Sequence, residues 1–185
     1  MSDSSDPLLA AAWQLPVAAI YQRTGLVSQR LRAMCGPTSA VVVLRSLGVA
    51  AEQTTVLEGT RLRTLFGARL AGMTLDEMAE VVRTHSRRPV TALRDLDLDR
   101  FREELRRVND PARRYIVNFD RNLLFGWGGG HHSPLGGYLE KEDRALVLDV
   151  NARVGPWLVS AERLHAAVTT RDRSSQKARG LVRID

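Results

Sequence analysis

Apolar residues recur at helical spacing from Cys35 to Leu47, through Ala40-Val41-Val42-Val43-Leu44, and stop at Gly48, a residue that commonly follows a helix end. The pattern predicts a helix that begins at Cys35. A second helix is expected over Leu75 to Val82, which Thr74 can cap, and a third over Leu98 to Val108, led by Asp97 or Asp99. After the turn signal Asn109-Asp110-Pro111 the period changes. Arg114 to Phe119, Ser133 to Leu139 and Ala145 to Val150 are short, rich in branched or aromatic residues and bounded by turn residues, which reads as antiparallel strands. A short helix over Ala161 to Val168 and a last strand over Gly180 to Ile184 complete the order. Helices first and strands second give an α+β class, with a helical part over about residues 1–110 and a sheet part over about 111–185.

Length and composition agree with one domain spanning residues 1–185: 44% of the residues are hydrophobic and 26% charged, an ordinary globular balance. The single cysteine excludes an internal disulfide and a multi-cysteine metal site, which favours a reducing, cytoplasmic setting. Met1 to Asp6 lacks the basic start of an export signal, and Leu8 to Ala12 is too short to span a bilayer, so neither export nor a membrane partner is expected. A net charge of +6 invites a nucleic-acid reading. The arginines, however, are spread along the chain without an aromatic-rich stripe, and only Lys141 and Lys177 are lysines, which points to compositional bias instead. The segment through Thr24 has no assigned role; a helix there would pack on the first lobe or on a neighbouring subunit of a homodimer.

Chemistry concentrates around Cys35. Peptide N–H groups at a helix start stabilise negative charge, so a thiol there ionises readily and can act as a nucleophile; the competing reading is a small buried core residue. A cysteine nucleophile needs a base, and the base needs an acceptor that fixes its tautomer. Gly128-Gly129-Gly130-His131-His132-Ser133-Pro134 puts a histidine pair at the mouth of a predicted strand, where the glycines allow close backbone approach. Adjacent strand residues point to opposite faces, so only one histidine is expected to face Cys35, and spacing does not say which. Half of a zinc site is the alternative, but no third ligand stands at metal spacing, so no metal site is expected. Asp149, at the end of the next strand, could orient a histidine. Gln29, six residues before Cys35, is the kind of amide that joins a backbone N–H in holding an oxyanion. Gln, Cys, His and Asp follow the chain order of papain-like enzymes, with Asp in place of the usual Asn.

These residues resemble the phytochelatin synthases, whose catalytic domain is papain-like. The resemblance rests on Gln29…Cys35-Gly36, Gly130-His131-His132-Ser133-Pro134-Leu135-Gly136-Gly137-Tyr138, Leu146-Val147-Leu148-Asp149-Val150 and Asp172…Ser175-Gln176-Lys177-Ala178-Arg179-Gly180. It implies a papain-like fold, catalytic domain only, with a helical first lobe carrying the nucleophile and an antiparallel-sheet second lobe. It assigns catalysis to Cys35, His131 and Asp149, the oxyanion to Gln29, and substrate binding to Gly130, Asp172 and Arg179. Asp172 and Arg179 would take the α-amino and α-carboxylate groups of a γ-glutamyl moiety.

The implied activity is that of a glutathione γ-glutamylcysteinyltransferase in metal detoxification. A γ-glutamylcysteinyl thioester on Cys35 would go to a second glutathione or to water. The resemblance implies no tightly bound cofactor, with cadmium or zinc ions as activators through their thiolate complexes with the substrate. The stretch Asn151-Ala152-Arg153-Val154-Gly155-Pro156-Trp157 departs from the family's aromatic, proline-rich pattern, as does Leu124 to Gly129. That leaves room for a papain-like amidase or acyltransferase acting on another γ-glutamyl or aminoacyl compound. A non-catalytic binding module of the same fold is the reading from a different class, and the four filled chemical positions disfavour it.

Overall fold

The structure, a computed structural model, describes residues 6–62 and 72–185. The N-terminal export reading of Met1 to Ser5 lies outside them. The chain opens with two short helices, α1 (Pro7–Trp13), capped by Asp6, and α2 (Pro16–Thr24). Each has proline in its first turn, where a missing N–H costs nothing. Leu9, Ala12, Val17, Ala18 and Tyr21 bury these helices in the same core as the helix that follows, so of the two sequence alternatives the segment packs on its own chain.

That next helix, α3 (Cys35–Ser46), is entered through a 3-10 turn at Arg32–Met34 and is buried nearly all round, as an apolar central helix must be. Gly48, with φ of +79°, turns the chain just beyond its end. α4 (Leu75–Ser86) starts on the reciprocal Thr74/Glu77 capping box. α5 (Leu98–Arg107) starts on Asp97, whose carboxylate accepts from the Arg100 N–H at 2.8 Å.

Six antiparallel strands form one sheet: β1 (Val90–Leu93), β2 (Arg114–Asp120), β3 (Gly130–Leu139), β4 (Arg144–Leu148), β5 (Pro156–Ser160) and β6 (Gly180–Ile184), in the order β1-β6-β2-β3-β4-β5. Two helices of the second half complete the fold, α6 (Arg121–Phe125) and α7 (Ala161–Val168). Alternation along the strands splits the core. Ile116, Leu146, Leu148 and Val182 face α1 to α4, whereas Tyr115, Val117, Val147 and Leu181 face a second cluster with Phe101 and Leu105 of α5 and Leu164 of α7.

The order therefore differs from helices followed by strands in two ways. β1 lies inside the helical half because it completes the sheet edge against β6, and α5 crosses to the far face to pack with α7. β5 also forms where the sequence pattern shows no strand. Among the described residues no helix is long and apolar enough to cross a membrane.

Candidate active site

Cys35 is the first residue of α3, where backbone N–H groups lack intrahelical acceptors and favour negative charge. Two contacts seat it. Ser39, one turn on, donates through Oγ to the His132 carbonyl at 2.9 Å, which ties the helix to β3. Gly36 leaves room for Met73, whose Sδ would lie 2.6 Å from a Cβ at that position. Burial alone would raise the Cys35 thiol above its ordinary 9.0, but hydrogen bonds from His131 and His132, with the charge of His131, outweigh it and hold the thiol well below that value. The thiol is thus set up to be a thiolate.

Both histidines address Cys35, where strand alternation predicts one. The alternation does hold for their other partners: His131 pairs across the strands with Phe119, and His132 with Asn118. The tip of α3 meets both rings because they are the second and third residues of β3. β3 starts three residues earlier than the sequence suggests, since those residues pair with β2, and so both rings are buried.

His131 Nε2 lies 2.8 Å from Asp149 Oδ1, just past the end of β4. Arg121 donates from Nη2 to both Asp149 oxygens at 2.8 Å. Burial would push Asp149 up, yet His131, Arg121 and the Asn151 N–H hold its carboxyl below 3.8. Burial would likewise push His131 down, yet Asp149 and the Cys35 sulfur lift it above 6.5. The Phe119 ring meets His131 edge-on at 5.5 Å, and Trp157 closes on Phe119 at 5.9 Å, so an apolar wall backs this pair.

A cavity of about 520 Å³ opens beside the nucleophile, lined by Cys35, Met73, Gly130, His132, Asp172 and Arg179 among others. The residues named for substrate binding therefore share one space with the thiol. Arg179 is held by Nη1 to Asn118 Oδ1 at 3.0 Å and by Nε to Thr170 Oγ1 at 3.2 Å, and it stands 3.8 Å from Asp172. A Cβ on Gly130 would come within 2.9 Å of the Arg179 Cζ, so this glycine seats the guanidinium as well as opening the cavity. Asp172 organises its own loop, accepting from the Ser174 and Ser175 N–H groups and from Ser175 Oγ. A carboxylate has about four acceptor positions, so room for one more donor remains.

Gln29, the residue expected to hold the oxyanion, has its amide engaged within its own loop. Its amide nitrogen donates to the carbonyls of Leu31 at 3.1 Å and Arg32 at 3.2 Å, spending both amide hydrogens on the loop that leads to Cys35. Its own N–H bonds Val150 O at 2.8 Å, which ties this loop to the residue after Asp149. The altered segment after Asp149 lines a second cavity of about 210 Å³, with Ala152, Gly155 and Pro156 facing Val27 and Leu148. No cluster of three His, Cys, Asp or Glu side chains suited to a metal ion occurs among the described residues.

Arg121 and Asn118 escaped the sequence reading. Asn118 carried a signal, being an amide inside the apolar strand Tyr115-Ile116-Val117-Asn118-Phe119, because a buried polar group must find partners. Arg121 carried none, since only folding takes a helix-start arginine out of water.

A phytochelatin synthase family model matches residues 1–181. A glutathione gamma-glutamylcysteinyltransferase of Schizosaccharomyces pombe is 25% identical over 173 residues, 86% of this chain and 41% of the relative. Glutathione gamma-glutamylcysteinyltransferase 2 of Arabidopsis thaliana is 37% identical over 70 residues, 37% of this chain and 16% of the relative. The chain thus spans less than half the length of either. Among solved structures, the peptidase domain of Streptococcus ComA superposes with a TM-score of 0.57 at 19% identity, covering 85% of this chain and 94% of that one. A C39-like peptidase from Bacillus anthracis gives 0.61 at 11% identity, covering 88% and 94%. These likenesses give the fold as that of papain-like cysteine peptidases, and with the family match over nearly the whole sequence the chain belongs to the phytochelatin synthase family.

Proposed function

We propose that this protein is a cysteine-nucleophile acyltransferase that takes the γ-glutamylcysteinyl group from glutathione. The observation that carries the reading is the cavity that Cys35 shares with Arg179 and Asp172. A thiol poised as a thiolate and an acid–base pair suited to an amino-acid head group stand in one space. The γ-glutamyl carboxylate pairs with Arg179 and its ammonium with the remaining acceptor position of Asp172.

His131 takes the Cys35 proton on Nδ1 while its Nε2 is held by Asp149. The thiolate attacks the carbonyl carbon of the cysteine–glycine amide, and the oxyanion forms beside the N-terminus of α3. Gln29 joins in holding it only by giving up one of its two loop carbonyls. His131 then protonates the glycine nitrogen, the C–N bond breaks, and the acyl group remains on sulfur as a thioester. The amine of a second glutathione, or water, attacks that thioester as His131 removes its proton, and Cys35 is regenerated. Cadmium or zinc enters as substrate, bound to glutathione thiolates. A cytoplasmic setting fits a nucleophile that is the chain's only cysteine and must stay reduced.

The test is incubation of the protein with glutathione, with and without cadmium or zinc, followed by mass spectrometry. Free glycine with longer γ-glutamylcysteine oligomers is the result expected for transfer, and γ-glutamylcysteine alone the result expected for hydrolysis. If glycine stays in the peptide and Cys35 gains no acyl mass, the reading fails.

A further inference from the structure

The two adjacent histidines address the same sulfur, but their outer nitrogens meet opposite chemistry. His131 Nε2 faces a carboxylate oxygen of Asp149 at 2.8 Å, which can only accept, so that nitrogen carries a proton. Arg121 Nη2 also stands 2.8 Å from it, yet the arginine hydrogens have both Asp149 oxygens to go to, whereas Asp149 has no proton to give. His131 therefore keeps Nδ1 for taking the thiol proton.

His132 Nε2 faces the Asn118 amide nitrogen instead, at 2.9 Å. Which end of that amide faces the ring is decided by Arg179. Its Nη1 lies 3.0 Å from the other end, a guanidinium only donates, and so the amide oxygen must point at Arg179 and the NH2 at His132. An NH2 only donates, so His132 Nε2 accepts and has no proton. The neutral ring then carries its proton on Nδ1, the nitrogen left for Cys35. We infer that His132 is a fixed neutral hydrogen-bond donor to the Cys35 thiolate, its tautomer imposed by Arg179 through Asn118, and that it is not a second base.

The inference rests on Cys35 being the nucleophile and deepens that reading. It divides the labour between neighbouring residues of one strand: His131 moves the proton, and His132 stabilises the charge the proton leaves behind. Arg179 gains a second task, as the positioning residue for His132 at the far end of the chain of hydrogen bonds. The titratable and charged groups around the pair are His131 and His132 on β3, Arg121 of α6 and Asp149 behind His131, and Arg179 with Asp172 behind Asn118.

Nitrogen NMR of the unmodified protein with labelled histidine tests the tautomer directly. His132 should show a protonated Nδ1 and an unprotonated Nε2, and His131 a protonated Nε2; a proton on His132 Nε2 overturns the inference. Alkylation of Cys35 by iodoacetamide across pH tests the consequence. His132→Phe, which removes the donor but fills the space, should raise the midpoint by about one unit, a roughly tenfold loss of thiolate below it. An unmoved midpoint in a folded variant overturns it equally. Asn118→Ala should leave both His132 tautomers populated, and a single unchanged tautomer there would refute the role given to Arg179. These measurements use no glutathione, so their failure counts against His132 alone, while absence of glutathione turnover counts against the acyl-transfer reading alone.

Discussion

Ser39 reaches from α3 to the main chain of β3 and donates its hydroxyl to the carbonyl oxygen of His132 at 2.9 Å, with both residues buried. This bond spans 93 residues of sequence and sets the distance between the nucleophile's helix and the histidine strand. Ser39→Ala leaves a buried carbonyl unpaired and should cost about 1–3 kcal/mol in chemical denaturation. The rate of Cys35 acylation should fall by more than the folded fraction does. Equal losses in both would reduce the bond to a structural one.

Asp149 balances Arg121 as well as His131, and both of its side-chain partners are buried. Asp149→Asn strands the Arg121 guanidinium without its counter-charge, so a loss of about 3–5 kcal/mol is expected in urea titration. The sign follows from the depressed carboxyl. The Asp149 contribution is fully present above the ordinary carboxylate value of 3.8 and is lost as pH falls through the lower folded value. The stability gap between the natural protein and the variant should therefore hold at neutral pH and close in acid. A gap independent of pH would show that Asp149 acts by shape rather than charge.

Cys35 is lowered and His131 raised, and both directions favour a thiolate–imidazolium pair. Glycine release should rise with pH through the depressed thiol value, below the ordinary 9.0, and fall through the raised imidazole value, above 6.5. His131→Ala should abolish the acyl adduct at every pH, as should Cys35→Ser, read by intact mass after mixing with glutathione. A surviving adduct in His131→Ala would move the proton-transfer role elsewhere.

If Arg179 takes the substrate carboxylate as proposed, Arg179→Ala should cost roughly 1.5–3 kcal/mol of charge-assisted binding, read mainly as a higher KM for glutathione. Gly130→Ala offers a subtler version. Its Cβ would press on the Arg179 guanidinium, so KM should rise while the denaturation midpoint stays close to that of the natural protein. A KM unaffected by both substitutions would remove the γ-glutamyl head group from this end of the cavity.

Local pattern carried far in this chain. The helix starting at Cys35, the cap at Thr74, the helix over Ala161–Val168 and the strand over Gly180–Ile184 all follow from periodicity and capping chemistry that act within a few residues. β1 and β5 did not show themselves in that way. Each is a short edge strand whose backbone bonds come wholly from a partner, and in β1 that partner lies some 90 residues away in sequence.

The same division runs through the site. Residue types and their order single out Cys35, the pair His131 and His132, and Asp149, because nucleophile, base and orienting acid must each be a particular kind of side chain; within the pair only the family resemblance pointed to His131. What those side chains do depends on partners that sequence spacing does not supply. Gln29 had the right chemistry and spent its hydrogens on its own loop. Arg121 and Asn118 gained their importance only when folding removed water and left a carboxylate and an imidazole to be satisfied. Identity at a position was readable along the chain, whereas the direction of a hydrogen bond, and with it the difference between His131 and His132, was decided by which buried groups the tertiary structure set against each ring.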